Sequence, residues 1–100
     1  MSKFCLALLC PPEIEEKLLD ALLVHGGDEI FTSVPTFSHG TAHGRMDSVE
    51  QVIGRSRSVK VEIFVTEDEM ARLLSALRAS FAGTGLRFWA WPLAGEGEIE

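Results

Sequence analysis

No run of Lys and Arg, no apolar stretch of membrane length and no cysteine beyond Cys5 and Cys10 occur in this 100-residue chain. Each absence closes off a class of function. With 9 basic residues against 15 acidic ones and a formal charge of -6, nothing attracts the chain to a nucleic-acid backbone or an anionic membrane surface. A membrane helix needs roughly 18 consecutive apolar residues, which the sequence nowhere supplies. The opening MSKFCLALLC carries one Lys before a short apolar stretch, but runs into Pro11-Pro12-Glu13 rather than a small-residue cleavage site. It reads as a strand, not a signal peptide. A soluble, cytoplasmic protein is expected, with no nucleic acid and no membrane insertion. Catalysis is not expected either, since no nucleophile, base and orienting group can be assembled from the motifs present. Cys5 and Cys10 lie about 16 Å apart on one strand at about 3.3 Å per residue and point to opposite faces, so they cannot pair with each other. Two buried thiols in a reducing compartment are the simplest reading.

What is present argues one domain over residues 1–100, with hydrophobic residues at 46% and a single core. Phe4–Cys10 has no polar side chain on either face, the pattern of a central strand covered on both sides. Pro11 and Pro12 open a helix. Glu13, Glu15 and Glu16 favour its N-terminal end, Ile14, Leu18, Ala21 and Leu22 form its apolar stripe, and Gly26-Gly27 stops it. A second strand runs from Asp28 to about Phe37, with IFTSV (Ile30–Val34) at its centre. In VKVEIFV (Val59–Val65), Val59, Val61, Ile63 and Val65 alternate with Lys60, Glu62 and Phe64 in a third strand. Thr66-Glu67-Asp68-Glu69 is a capping box, and Met70, Leu73, Leu74, Leu77 and Phe81 line one face of the helix it starts, until Gly83 and Gly85. Leu86–Leu93 is the last strand, followed by an acidic tail over 94–100.

Strand, helix, strand, strand, helix, strand is the split βαβ order of a ferredoxin-like α+β fold: a four-stranded antiparallel sheet with two helices on one face. The other face is not written for water. Phe4–Leu9 is apolar throughout, and Leu86, Phe88 and Ala90 alternate with Arg87, Trp89 and Trp91. Burial of each such side chain is worth roughly 1.5–3 kcal/mol, so leaving several exposed favours aggregation. An oligomer that packs open sheet faces together in a closed ring satisfies the pattern.

The long polar insertion between the second and third strands, TFSHGTAHGRMDSVEQVIGRSRS over 36–58, is where function is sought. His39 and His43, with Met46 and Asp47 behind them, are its metal-ligand types, and Gly40 and Gly44 allow both imidazoles to turn to one point. A zinc site normally needs four ligands, so the alternatives are solvated histidines or a site completed by neighbouring subunits. His25, alone at the end of the first helix, reads as a helix-end cation. Arg45, Arg55, Arg57 and Lys60 concentrate positive charge in an acidic protein, either for salt bridges to a neighbour or for an anionic ligand between subunits. Asp47-Ser48-Val49-Glu50 is a second capping box, closing at Gly54, so one or two helical turns are expected, docked through Val49, Val52 and Ile53. Trp89 and Trp91 are expected in a core or subunit interface rather than as a stacking platform.

VKVEIFVTEDEMARLLSAL and TFSHGTAH resemble the third strand with its helix, and the glycine-rich nucleotide-proximal segment, of the P-II signalling superfamily. EQVIGRSRSVKVEIFV (Glu50–Val65) is similar to an uncharacterised P-II-like family found beside heavy-metal efflux pumps of the resistance-nodulation-division type. The short chain is also similar to the CutA-type divalent-cation tolerance proteins. The resemblance implies a homotrimer whose long loop responds to a small-molecule or metal effector and contacts a partner protein, such as an efflux component. It places Phe37, Ser38 and Gly40 near a nucleotide, and with Arg45, Arg55 and Arg57 of the charge cluster and Arg87 after the glycine turn these are the candidate residues for a nucleotide or other anion. It departs from the family in having Gly83-Thr84-Gly85-Leu86-Arg87 where nucleotide-binding members have a Gly-Asp-Gly-Lys phosphate cradle, and in having no Tyr for loop modification. A metal-ion-binding protein using His39, His43 and Met46, without a signalling partner, is the alternative. A nucleotide or a divalent metal ion is the cofactor class that these readings imply.

Overall fold

The computed structural model describes residues 2–26, 30–40 and 56–100. The expected helical turns over 47–54 and the side chains of His43, Arg45, Met46 and Arg55 lie outside the described residues. The elements are β1 (Lys3–Cys10), a 3-10 turn (Pro12–Ile14), α1 (Glu15–His25), β2 (Phe31–Ser38), β3 (Ser56–Thr66), α2 (Glu67–Phe81) and β4 (Arg87–Pro92). The four strands form one sheet in the order β2-β3-β1-β4, with every neighbouring pair antiparallel. This is the expected α+β ferredoxin-like architecture.

Register sorts the side chains. Leu6 lies opposite Ile63 and Ala90, and Leu8 opposite Val61 and Phe88, all on the face that the helices cover. There Leu6, Leu8, Cys10, Val61, Ile63 and Val65 meet Leu18 and Leu22 of α1 and Leu73, Leu77 and Phe81 of α2 in one buried cluster. Leu18 and Leu22 are four apart, as are Leu73, Leu77 and Phe81, so each helix contributes one stripe. The 3-10 turn before α1 is a refinement: Pro12 has no N–H to continue the ladder, and the turn closes through Ile14 N–H to Pro11 O at 3.2 Å.

The expected cap of α2 is present in both directions. Thr66 N–H donates to Glu69 Oε1 at 2.7 Å, and Glu69 N–H donates to Thr66 Oγ1 at 3.2 Å. The hydrogen bond from the Thr66 backbone, then that involving its side chain, holds the Glu69 carboxyl below the usual carboxylate range. A lowered folded pKa gives stability that is present above the unfolded pKa and lost as pH falls through the folded one. Thr66→Ala is therefore expected to cost about 1 kcal/mol at neutral pH. It should also remove the smaller, side-chain part of the loss of stability below pH ~4, the backbone N–H of residue 66 still donating to Glu69, which thermal melts from pH 3 to 7 would read.

The loop is shorter than the polar composition suggests. Residues 36–38 and 56–58 belong to β2 and β3, with Thr36 opposite Ser58, Phe37 opposite Arg57 and Ser38 opposite Ser56. The Ser38 and Ser58 hydroxyls share a 2.6 Å hydrogen bond that fastens the two strands where they leave the sheet.

Candidate functional site

The ends of four segments meet at the same edge of the molecule. The antiparallel order puts the end of β1, the end of β2, the start of β3 and the start of β4 together, beside the first proline turn. Between them lies a cleft of about 470 Å³. Ser38, His39 and Gly40 line it from one root of the loop, and Ser56, Arg57 and Ser58 from the other. Leu9, Cys10, Pro11, Pro12 and Glu13 form another wall, and Gly85, Arg87 and Trp89 close the far side.

The cleft thus brings together Ser38, Gly40, Arg57 and Arg87 from the anion set and His39 from the metal set. Phe37 is outside this lining. Strand alternation sends its ring to the opposite face from Ser38, where it is half-exposed and opposite Arg57. Among the described residues, no three His, Cys, Asp or Glu side chains gather as a metal site. His25, at the end of α1, borders a separate small pocket with Glu69 and Arg72.

Sequence reasoning missed Ser56, Ser58, Glu13 and Trp89 as parts of this cleft. The signal for the serines was faint but physical: a Ser-x-Ser pair one strand away from Ser38 sets small hydroxyls on one sheet face. Ser56 and Ser58 are both buried at 7% exposure. Among the described residues the Ser56 Oγ has no hydrogen-bond partner.

The turn between α2 and β4 is where the sequence has Gly83-Thr84-Gly85-Leu86-Arg87 in place of a phosphate cradle. Gly83 and Gly85 take φ of 81° and 91°, left-handed values that a side chain would strain. Yet the turn spends donors on itself. Thr84 N–H goes to Phe81 O, Thr84 Oγ1 donates to the same carbonyl at 2.7 Å, and Leu86 N–H reaches Thr84 Oγ1 at 3.4 Å.

Both thiols are poor nucleophiles. Burial, then the Glu15 and Glu13 carboxylates, pushes the Cys10 thiol up to about 11. Burial, then Glu62, raises that of Cys5. Neither is poised as a thiolate at neutral pH.

The sheet face away from the helices is uneven. Cys5 and Ala7 at its centre are sealed, flanked in register by Trp91 and Trp89 of β4 and by Phe64 and Glu62 of β3. Those tryptophans remain 40% and 42% exposed, and Val34 of β2 on the same face is 46% exposed. Lys60 and Glu62 form a 4.0 Å ion pair between them, and Lys3 ties the tail through Glu96 at 3.2 Å. No described helix is long and apolar enough to cross a membrane.

The same scaffold recurs among solved structures. A crystal structure of a DUF3240 family protein from Shewanella baltica OS155 superposes with a TM-score of 0.81 at 19% identity, covering 100% of this chain and 99% of that one. CPII, a nitrogen regulatory PII-like protein from Thiomonas intermedia K12 solved with ADP, AMP and bicarbonate, gives 0.75 at 16% identity over 99% and 98% of the two chains. The B. subtilis GlnK–ATP complex gives 0.63 at 16% identity over 93% and 83%. Identities this low show a common fold and no more. Among proteins with curated descriptions, none matches. The family described as "Protein of unknown function (DUF3240)" matches residues 1–100. On that full-length match the chain belongs to the DUF3240 family, built on the fold of the P-II-like proteins.

Proposed function

We propose that this chain is a regulatory or sensor protein that works as a homotrimer, and that its loop changes conformation when a small anionic ligand occupies the cleft. The observation that carries this reading is that both roots of the loop, Ser38–Gly40 and Ser56–Ser58, line one cleft. A ligand held there touches both ends of the segment and can favour one loop state over another, which is the requirement for a population shift. P-II-like neighbours solved with ADP, AMP and bicarbonate or with ATP support the choice of a ligand-responsive role by analogy of fold. The exposed Trp89 and Trp91 support the trimer, since an apolar open face gains by packing against copies of itself. The partner we assign to the loop is a protein component of a heavy-metal efflux system, on the resemblance of Glu50–Val65.

Limited trypsin digestion tests the reading, because Arg45 and Arg55 lie in the loop. Adenine nucleotides or phosphate are expected to change the cleavage rate there severalfold, and Arg87→Ala to abolish that response while leaving the melting temperature near that of the unaltered protein. If zinc alone altered cleavage, and His39→Ala/His43→Ala removed its effect, the metal-binding alternative would take its place.

A further inference from the structure

We infer that the cleft holds a small oxyanion end-on against a floor of serine hydroxyls, and that Ser56 is the residue that recognises it. This rests on the cleft being the ligand site and names the ligand's chemical class. Ser56 is 7% exposed, and its Oγ is shielded from solvent with no hydrogen-bond partner among the described residues. A buried hydroxyl in that condition is destabilising and calls for an explanation, a ligand among them. Ser38 stands directly opposite it on β2, and Ser58 lies two residues along the same strand, so alternation puts all three hydroxyls on one sheet face. Only one proton is used in the 2.6 Å Ser38–Ser58 hydrogen bond. The other hydroxyl proton of that pair is left to donate elsewhere. A change of χ1 to another staggered well brings the Ser56 hydroxyl round to join it in the cleft that Ser56 lines.

Charge selects the sign of the ligand. Arg87 shares the sheet face of the serines, while Arg57, paired with Phe37, takes the other; both line the cleft with one carboxylate, Glu13, so the Arg and Glu side chains of the lining carry a net positive charge among the described residues. Serine hydroxyls with the Arg87 guanidinium on their own sheet face suit phosphate, sulfate, bicarbonate or a carboxylate. The glycine turn argues against a polyphosphate chain laid along backbone amides, because Thr84 and Leu86 spend their N–H groups within the turn. The ligand is therefore a free oxyanion or the single phosphoryl or carboxyl head of a small metabolite.

Calorimetric titration of the full chain with inorganic phosphate, bicarbonate, acetate and AMP tests this. At least one of these oxyanions is expected to bind in each molecule's cleft. Ser56→Ala should weaken that binding about tenfold or more, the usual loss when a hydrogen bond to a charged group is removed, and Ser56→Thr should restore most of it. Ligand-free Ser56→Ala is expected to melt higher than the unaltered chain, since it removes an unpartnered hydroxyl. AMP binding as well as phosphate identifies a phosphoryl head, and phosphate or bicarbonate binding alone identifies a free ion. Unchanged oxyanion affinity in Ser56→Ala, or no oxyanion binding to the unaltered chain at millimolar concentration, overturns the inference. The regulatory reading fails separately: oxyanion binding that leaves tryptic cleavage of the loop unchanged refutes the loop response but not the serine floor.

Discussion

Trp89→Ser/Trp91→Ser is expected to yield single chains of 11.0 kDa at concentrations where the unaltered protein is associated. Both indoles stand on the sheet face that neither helix covers, beside sealed Ala7 and Cys5. At 42% and 40% exposure each still presents much of an aromatic surface that buries 150–250 Å² when covered (roughly, for any aromatic side chain). Central tryptophans in interfaces commonly cost about 2 kcal/mol or more when truncated. Losing two therefore weakens each contact by about a thousandfold. Fold stability of the separated chain should change much less, because neither indole belongs to the cluster between sheet and helices. Sedimentation velocity together with circular dichroism separates these effects. A variant that stays associated, or one that unfolds, would show that the indoles do another job.

Leu6→Ala should have the largest effect on stability. Leu6 is 0% exposed on the central strand, between Ile63 and Ala90 in register, and belongs to the main buried cluster. Truncating a leucine in such a place removes transfer free energy and leaves a cavity that packed neighbours cannot fill, at a cost of about 2–5 kcal/mol. For a domain of this length, each kcal/mol moves the melting temperature by roughly 4–8 °C, so the midpoint falls by more than about 10 °C. Leu23→Ala is the matched control. Leu23 lies on α1 at 67% exposure, and its truncation should stay within about 0.5 kcal/mol.

The scaffold was legible because periodicity carries it. Alternation in Val59–Val65, the three apolar residues spaced by four on α2, and the Thr66–Glu69 capping box each have a local cause, and local causes survive into the fold. The uncovered face was legible for the same reason: Arg87, Trp89 and Trp91 share one parity of β4 and cannot all turn inward. The cleft was only half visible. Ser38, His39, Gly40 and Arg57 drew notice by standing in a polar, glycine-bearing segment, and Arg87 by following the glycine turn. Ser56 and Ser58 did not, since serine is as common in loops as on a strand and its partner Ser38 lies twenty positions away from Ser58. Only strand pairing makes them neighbours. For the same reason polar composition overstated the loop at both ends, where hydroxyl pairing extends β2 and β3. Glu13 and Trp89 reach the site through topology alone, from the turn after β1 and from the opposite edge of the sheet.

Everything that concerns function depends on like chains covering the open face and so fixing the surroundings of the cleft. The solution mass of the unaltered protein tests this most directly, measured by sedimentation equilibrium from low micromolar to high micromolar concentration. Three chains of 11.0 kDa each in one particle across that range is the predicted result. A single well-behaved 11.0 kDa chain at the highest concentration would contradict it.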